Sequence, residues 1–192
     1  MNKKLEQVKQ LAKEIDGWLS DAEGKLLYKL AKNVPKGQAI VEIGSWKGKS
    51  TVWLAKGTEA GNKNKVFAID PHCGSRSHVS EDEEDTYPTF LVNLSKAGLK
   101  NRVVPLVMTS SEAARYWQGS VGLLWIDGSH EYEDVKHDFL VWTQYLLLDA
   151  VVALHDCDKL GPAYVAQEYL VNSDEFVVTH HVDTILAAYK CR

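Results

Sequence analysis

The sequence predicts an α/β fold, a doubly wound sheet that ends in one antiparallel strand. Three observations carry this reading. Short apolar strand patterns alternate with helix patterns throughout, and one strand runs into a glycine turn that opens a helix. The last two strand patterns also lie close enough to pair as a hairpin.

Residues 5–15 and 22–32 carry amphipathic helix patterns, and Pro35-Lys36-Gly37 turns the chain into the first strand, residues 39–43. That strand is apolar apart from Glu42 and rich in branched residues, as expected of a strand covered on both faces. After Gly48 the run Ser50-Thr51-Val52-Trp53-Leu54-Ala55 reads as a helix. Within residues 65–72 a second short apolar strand ends in Asp70, and residues 89–97 read as a helix closed by Gly98. Residues 102–108 give the third strand and 112–117 a short helix, with Thr109-Ser110-Ser111-Glu112 reading as its cap. The fourth strand, from Val121, ends in Asp127-Gly128-Ser129-His130, and residues 134–147 read as a longer helix. Residues 151–154 form the fifth strand, ending in His155-Asp156. A helix over 163–171 and strands over 175–181 and 184–190 complete the chain.

Composition bounds the reading. The 192 residues, 45% of them hydrophobic, can bury one sizeable core, and no linker, repeat or low-complexity tract marks a second domain. One domain over 1–192 is expected, with residues 1–35 as its N-terminal helices. A net charge of −4 without a basic cluster disfavours nucleic acid or an anionic membrane as partner. No apolar run reaches the roughly 18 residues that span a bilayer, and the lysine-rich start leads into an amphipathic helix rather than a signal-peptide core. Cys73, Cys157 and Cys191 form an odd, widely spaced set, which favours free thiols in a reducing compartment. The expectation is a cytoplasmic protein with a small-molecule partner, homo-oligomerisation being left open.

The loop after the first strand narrows the ligand. A phosphate-binding P-loop needs four residues between its glycines before Gly-Lys-Ser/Thr, and only Ser45, Trp46 and Lys47 separate Gly44 from Gly48. A dinucleotide fingerprint needs glycine two positions after Gly44, where Trp46 stands. A strand, a tight glycine turn and a helix N-terminus still make a site where backbone N–H groups face an anionic or nucleotide-like ligand. Asp70, roughly 20 residues on, is placed to accept hydrogen bonds from ribose hydroxyls.

The pattern Glu42-x-Gly44-x-x-x-Gly48-x-Ser50 resembles the first motif of class I S-adenosylmethionine (SAM) methyltransferases. With Asp70, Ile126-Asp127-Gly128-Ser129-His130 and His155-Asp156, the resemblance runs across nearly the whole chain, towards small metal-dependent O-methyltransferases acting on sugars and related hydroxyl compounds. It implies a Rossmann-like seven-stranded sheet of order 3-2-1-4-5-7-6 with strand 7 antiparallel. It implies SAM contacts from Glu42, Gly44, Ser45, Gly48, Ser50, Thr51, Asp70, His72, Ser110, Ser111 and Asp127. In that reading the N–H groups and hydroxyls of Ser50 and Thr51 receive the methionine carboxylate. One departure is Asp149-Ala150, where relatives carry Gly-Gly; Asp149 is expected to take a strained or different turn.

Asp127 and Asp156 end adjacent strands on the carboxyl edge of the sheet, so they should converge. The resemblance places a metal at Asp127, His155 and Asp156, and oxygen-rich ligation favours Mg²⁺ or Mn²⁺. Many relatives have a carboxylate where His155 stands. The alternative is that Asp127 holds the SAM amine or orders the loop while His155 and Asp156 pair without an ion. His130 is the candidate general base, an imidazole being suited to taking a hydroxyl proton at neutral pH, and Asp127 is the second catalytic candidate. Tyr132 either orders the loop or flanks the substrate. His78, His137, His180 and His181 read as surface histidines. The acidic segment over 73–87 is expected to be a solvated loop or a substrate-selecting lid. Asp-Gly-Ser-His replaces the Asn/Asp-Pro-Pro-Tyr/Phe segment of many amine methyltransferases, which points to oxygen as the acceptor atom. The competing functions are a SAM-binding or nucleotide-binding domain without turnover and, more remotely, an ATP-using enzyme with a degenerate P-loop.

Overall fold

The computed structural model of the protein describes residues 3–73 and 85–192. Most of the acidic segment read as a loop or lid, including Glu81, Asp82, Glu83 and Glu84, lies outside the described residues. Helices α1 (Lys3–Lys13) and α2 (Asp21–Asn33) precede β1 (Ala39–Ile43) and α3 (Lys49–Glu59). The chain continues as β2 (Val66–Ile69), α4 (Tyr87–Lys96), β3 (Val103–Leu106), α5 (Ser110–Arg115), β4 (Val121–Ile126) and α6 (Tyr132–Thr143). Then follow β5 (Leu146–Leu154), α7 (Leu160–Val165) with a π-helical continuation over Ala166–Val171, β6 (Phe176–Val182) and β7 (Ile185–Lys190).

These strands form one seven-stranded sheet in the order β3-β2-β1-β4-β5-β7-β6, as expected. The first five are mutually parallel, and β7 runs antiparallel to both β5 and β6. Pleating explains why the central strands show no polar alternation. Ile40 of β1 and Leu123 and Trp125 of β4 join one buried cluster with Leu27, Trp53 and Phe90 from α2, α3 and α4. Val41 and Ile43, with Leu124 and Ile126, join the other cluster with Phe139, Trp142 and Val165 from α6 and α7. Both faces are covered, so both sets of alternate residues are apolar.

The structure shifts several boundaries. The helix expected over 134–147 stops at Thr143, because the Val121 N–H donates to the Tyr145 carbonyl at 2.9 Å and Leu146 pairs with Val121. An apolar run such as Leu146-Leu147-Leu148 suits either state, and strand pairing decides it. Helices α4 and α7 begin earlier than expected, at Tyr87 and Leu160, because Pro88 and Pro162 are tolerated in a first turn.

Between the pairs Val121–Leu146 and Leu123–Val151, β5 carries extra residues, and among them Asp149 sits at φ 65°. Of the strained or different turn expected where relatives carry Gly-Gly, the structure shows a left-handed backbone at Asp149. Asp149→Gly is expected to raise stability by up to about 1 kcal/mol, while Asp149→Val lowers it by about 1–2 kcal/mol. Urea midpoints of the three proteins check the order.

Candidate active site

The glycine loop after β1 begins where the pleat turns Glu42 to the α3 side of the strand. Buried there, its Oε1 accepts from Ser50 Oγ and its Oε2 from Thr51 Oγ1, both at 2.6 Å. Burial raises this carboxyl to about 8, although the two hydroxyls oppose the shift and the charges of Asp127 and Asp70 add to it. Glu42 is thus a neutral acid at pH 7 that joins β1 to the first turn of α3. The hydroxyls of Ser50 and Thr51, expected to meet a ligand carboxylate, are engaged by Glu42 instead.

A group whose folded pKa lies above its unfolded value of 4.5 contributes stability that is full below 4.5 and is lost as pH rises through about 8. Glu42→Gln is therefore expected to flatten the fall in Tm between about pH 5 and about pH 8. A variant whose Tm falls as steeply as that of wild type over this range would remove Glu42 as the titrating group.

Beyond Glu42 the loop is fixed by close backbone approach. Gly44 has φ 84°, and a Cβ there would run into the Asp127 carbonyl, so only glycine lets this loop lie against the end of β4. Trp46 takes φ 42°, and its N–H donates to Asp70 Oδ2 at 2.8 Å. Asp70 Oδ1 accepts from the His72 N–H at 2.7 Å, so one carboxylate ties the glycine loop to the end of β2. Four lone-pair positions on a carboxylate leave room for ribose hydroxyls as well. Gly48, at φ 92°, caps the eleven-residue α3 without a side-chain bond, which leaves the first-turn N–H groups to a ligand. Ser45 Oγ is buried without a hydrogen-bond partner among the described residues.

Besides Ser50 and Thr51, three more of the expected cofactor residues are held by other partners. His72 is buried, with Nδ1 2.8 Å from Thr86 Oγ1 and its ring against Tyr87 and Phe90. Ser110 Oγ accepts from Trp142 Nε1 at 2.9 Å, and Ser111 Oγ lies 2.6 Å from His137 Nε2, so α6 engages both hydroxyls.

A second centre forms at the ends of β4 and β5. His155 Nδ1 lies 2.8 Å from Asp127 Oδ1 and 3.5 Å from Asp156 Oδ2. Its Nε2 faces Glu23 Oε1 at 3.5 Å. Burial opposes charge on His155, yet Asp127 and Glu23, helped by Asp156, raise it to about 10. His130 Nε2 lies 2.7 Å from Asp156 Oδ2, and Lys159 Nζ sits 2.9 Å from that same oxygen. Burial of Asp156 is outweighed by Lys159, His155 and His130, which lower its pKa. The start of α7 presses on this loop, since a Cβ at Gly161 would meet the His130 carbonyl. The four expected residues Asp127, His130, His155 and Asp156 thus come together.

Glu23 and Lys159 complete the cluster and were not singled out from the sequence. Glu23, in the first turn of α2, is buried and accepts from the Ser20 N–H at 2.8 Å and from the N–H and Oγ1 of Thr184 at 3.0 and 2.7 Å. Burial disfavours its charge, but His155, Ser20 and Thr184 hold it at about 2. The only sequence signal was the capping box Ser20-Asp21-Ala22-Glu23, which accounts for one of its oxygens.

Residues 41–157 match a family model described as a methyltransferase domain, and the chain belongs to this family. A curated relative from Sinorhizobium fredii, named uncharacterized protein y4gI, is 30% identical over 131 residues, 68% of this chain and 14% of that protein. Among solved structures, cofactor-bound Rv0187 from MTB aligns with TM-score 0.71 at 20% identity, over 99% of this chain and 90% of that one. The O-methyltransferase TomG from Streptomyces achromogenes, involved in tomaymycin synthesis and solved with SAM, aligns with TM-score 0.68 at 19% identity, over 100% and 91%. An O-methyltransferase from Bacillus cereus, solved with SAH (S-adenosylhomocysteine), gives 0.67 at 18%, over 99% and 92%. At these identities the likeness is one of fold.

Proposed function

We propose that the protein transfers the methyl group of SAM to a hydroxyl of a small molecule. The observation that carries this reading is the His130–Asp156 pair at 2.7 Å, held at the sheet edge where Asp127 touches the cofactor loop. A domain that only bound its ligand would have no use for an oriented imidazole there.

The residues present fit SAM. The buried, unpartnered Ser45 hydroxyl and the uncapped first turn of α3 suit the polar methionine end, and Asp70 suits the ribose. When bound, SAM supplies a sulfonium methyl open to in-line displacement. With Asp156 accepting from Nε2–H, His130 keeps its lone pair on Nδ1 and takes the acceptor's hydroxyl proton there. Asp156 then faces the imidazolium so formed, as carboxylates do in other hydrogen-bonded base pairs. Lys159 pairs with the same Asp156 oxygen and keeps it ionised.

A second reading adds a divalent cation, favoured by one observation. Ligand atoms of Asp127, His155 and Asp156 lie within 4.8 Å of one another, a spacing and donor set that fit Mg²⁺ or Mn²⁺ once His155 gives up its Nδ1 proton. Glu23 opposite Nε2 is the outer carboxylate that a ligating histidine uses. An ion held there would supply Lewis acidity to the acceptor hydroxyl.

Incubation with methyl-labelled SAM and a panel of hydroxylated acceptors is expected to place the label on oxygen. In the metal-assisted reading, exhaustive chelation lowers the rate and Mg²⁺ or Mn²⁺ restores it. Full activity after chelation would leave base catalysis alone, and label found only on nitrogen would overturn the oxygen assignment.

We further infer one domain spanning 1–192, supported by the N-terminal helices packing into the same core as the sheet. No helix among the described residues is long and apolar enough to cross a membrane. The free thiols of Cys73, Cys157 and Cys191 support a reducing compartment such as the cytoplasm, and the net acidic charge speaks against a nucleic-acid substrate.

A further inference from the structure

Tyr132 opens α6 two residues after His130, yet its hydroxyl does not turn to that residue. It donates to Glu168 Oε2 at 2.6 Å, in the π-helical turn that continues α7. With Tyr164, Gln167 and Asn172, these two residues line a cavity of about 400 Å³ between α6 and the α7 segment. None of the described lining residues belongs to the glycine loop after β1 or to the cluster of Asp127, His130, His155 and Asp156. The cavity is a second site.

Its walls combine two rings with one charge. The rings of Tyr132 and Tyr164 stand 6.5 Å apart with planes 87° from one another, and Tyr164 is 60% exposed. Of the lining residues Glu168 alone carries a charge. The Tyr132 hydroxyl, opposed by desolvation and helped by Tyr169 and the charge of Lys136, holds the Glu168 carboxyl below the usual carboxylate range. It is therefore an anion at pH 7, with lone pairs beyond those its hydroxyl donors use. From outside the cavity, Lys136 sets its ammonium 5.1 Å from the Tyr132 ring centre, so this ring already meets a cation within the protein.

The far end of the cavity is held by amides. The Asn172 N–H donates to the Gln167 carbonyl at 3.0 Å, the bond that closes the π turn, and Gln167 Nε2 donates to Asn172 Oδ1 at 2.8 Å. Such π turns are rare and recur at functional sites.

We propose that this cavity binds a small organic ammonium ion, with Tyr132 and Tyr164 facing the cation and Glu168 supplying the opposite charge. The two rings attract a cation through their quadrupoles, while the carboxylate repels anions and discriminates against neutral molecules of the same shape. The volume suits a small molecule. The assignment stands apart from the methyltransferase reading, since none of these residues serves that reaction.

The test titrates the full chain by calorimetry with choline and with dimethylbutanol, its uncharged carbon analogue of the same shape. Choline is expected to bind about ten-fold or more tighter than the alcohol. Glu168→Gln, which keeps an acceptor for Tyr132, and Tyr164→Ala should each weaken choline about five-fold, while Tyr164→Phe keeps wild-type affinity. Thermal midpoints of the three variants, measured first, should stay near wild type, which makes the losses local. Equal affinity for the two probes, no choline binding by wild type, or full choline affinity in Glu168→Gln or in Tyr164→Ala would overturn the proposal.

Discussion

His130→Ala is expected to lower single-turnover methyl transfer by about 10² to 10⁴-fold while SAH affinity stays nearly unchanged. The split follows from geometry. His130 bonds to Asp156 and stands near Lys159, and none of its described hydrogen bonds reaches the cofactor loop. Lys159, 2.9 Å from Asp156, remains as its partner, so the substitution removes the base without leaving that half-buried carboxylate unpaired. Asp156→Asn should lower turnover as well, because an amide in its place no longer stabilises the imidazolium. Single-turnover rates with labelled SAM, alongside SAH titration, separate the two effects. Unaltered turnover in His130→Ala would remove it from the mechanism.

Asp70→Ala is expected to cost about 10²-fold or more in SAH affinity, since in the proposed SAM site it would remove charge-assisted ribose bonds, and it removes the anchor of the loop. The second part is visible in the structure, where one carboxylate accepts from the N–H groups of Trp46 and His72. Without it, Trp46 at φ 42° loses the bond that supports a left-handed backbone. Asp70→Asn keeps carbonyl acceptance at one position and should fall between alanine and wild type. Calorimetry on the three proteins checks the order, and equal affinity in wild type and Asp70→Ala would contradict the ribose assignment.

Much of the fold was legible because local signals agreed. The branched apolar run 39–43 became β1 with the expected bounds, since nothing else suits a strand covered on both faces. Thr109-Ser110-Ser111-Glu112 became the expected cap, with Thr109 accepting from the Glu112 N–H. The helix assigned over 134–147 failed at its end because strand pairing, a long-range effect, competes with helix pattern in the run after Tyr145. At the site, spacing placed Asp127 and Asp156 on neighbouring strand ends, and they converge as read. Glu23 could not be read as a site residue, because its partners His155 and Thr184 lie far along the chain and only folding brings them to it. Lys159 stands three residues from Asp156, but its nearness to His130 comes only from folding. The hydroxyls of Ser50 and Thr51 were read toward a ligand because sequence shows their place at a helix start, not the buried carboxyl beneath them.

The central claim is that the loop from Gly44 to Gly48 binds SAM-type ligands rather than a phosphate-bearing nucleotide. Calorimetric titration of the protein with SAH, ATP and NAD tests it directly. The expected result is saturable SAH binding with ATP and NAD weak, since the loop is one residue short of a P-loop and holds Trp46 where a dinucleotide needs glycine. Tight ATP binding with no response to SAH would contradict the account.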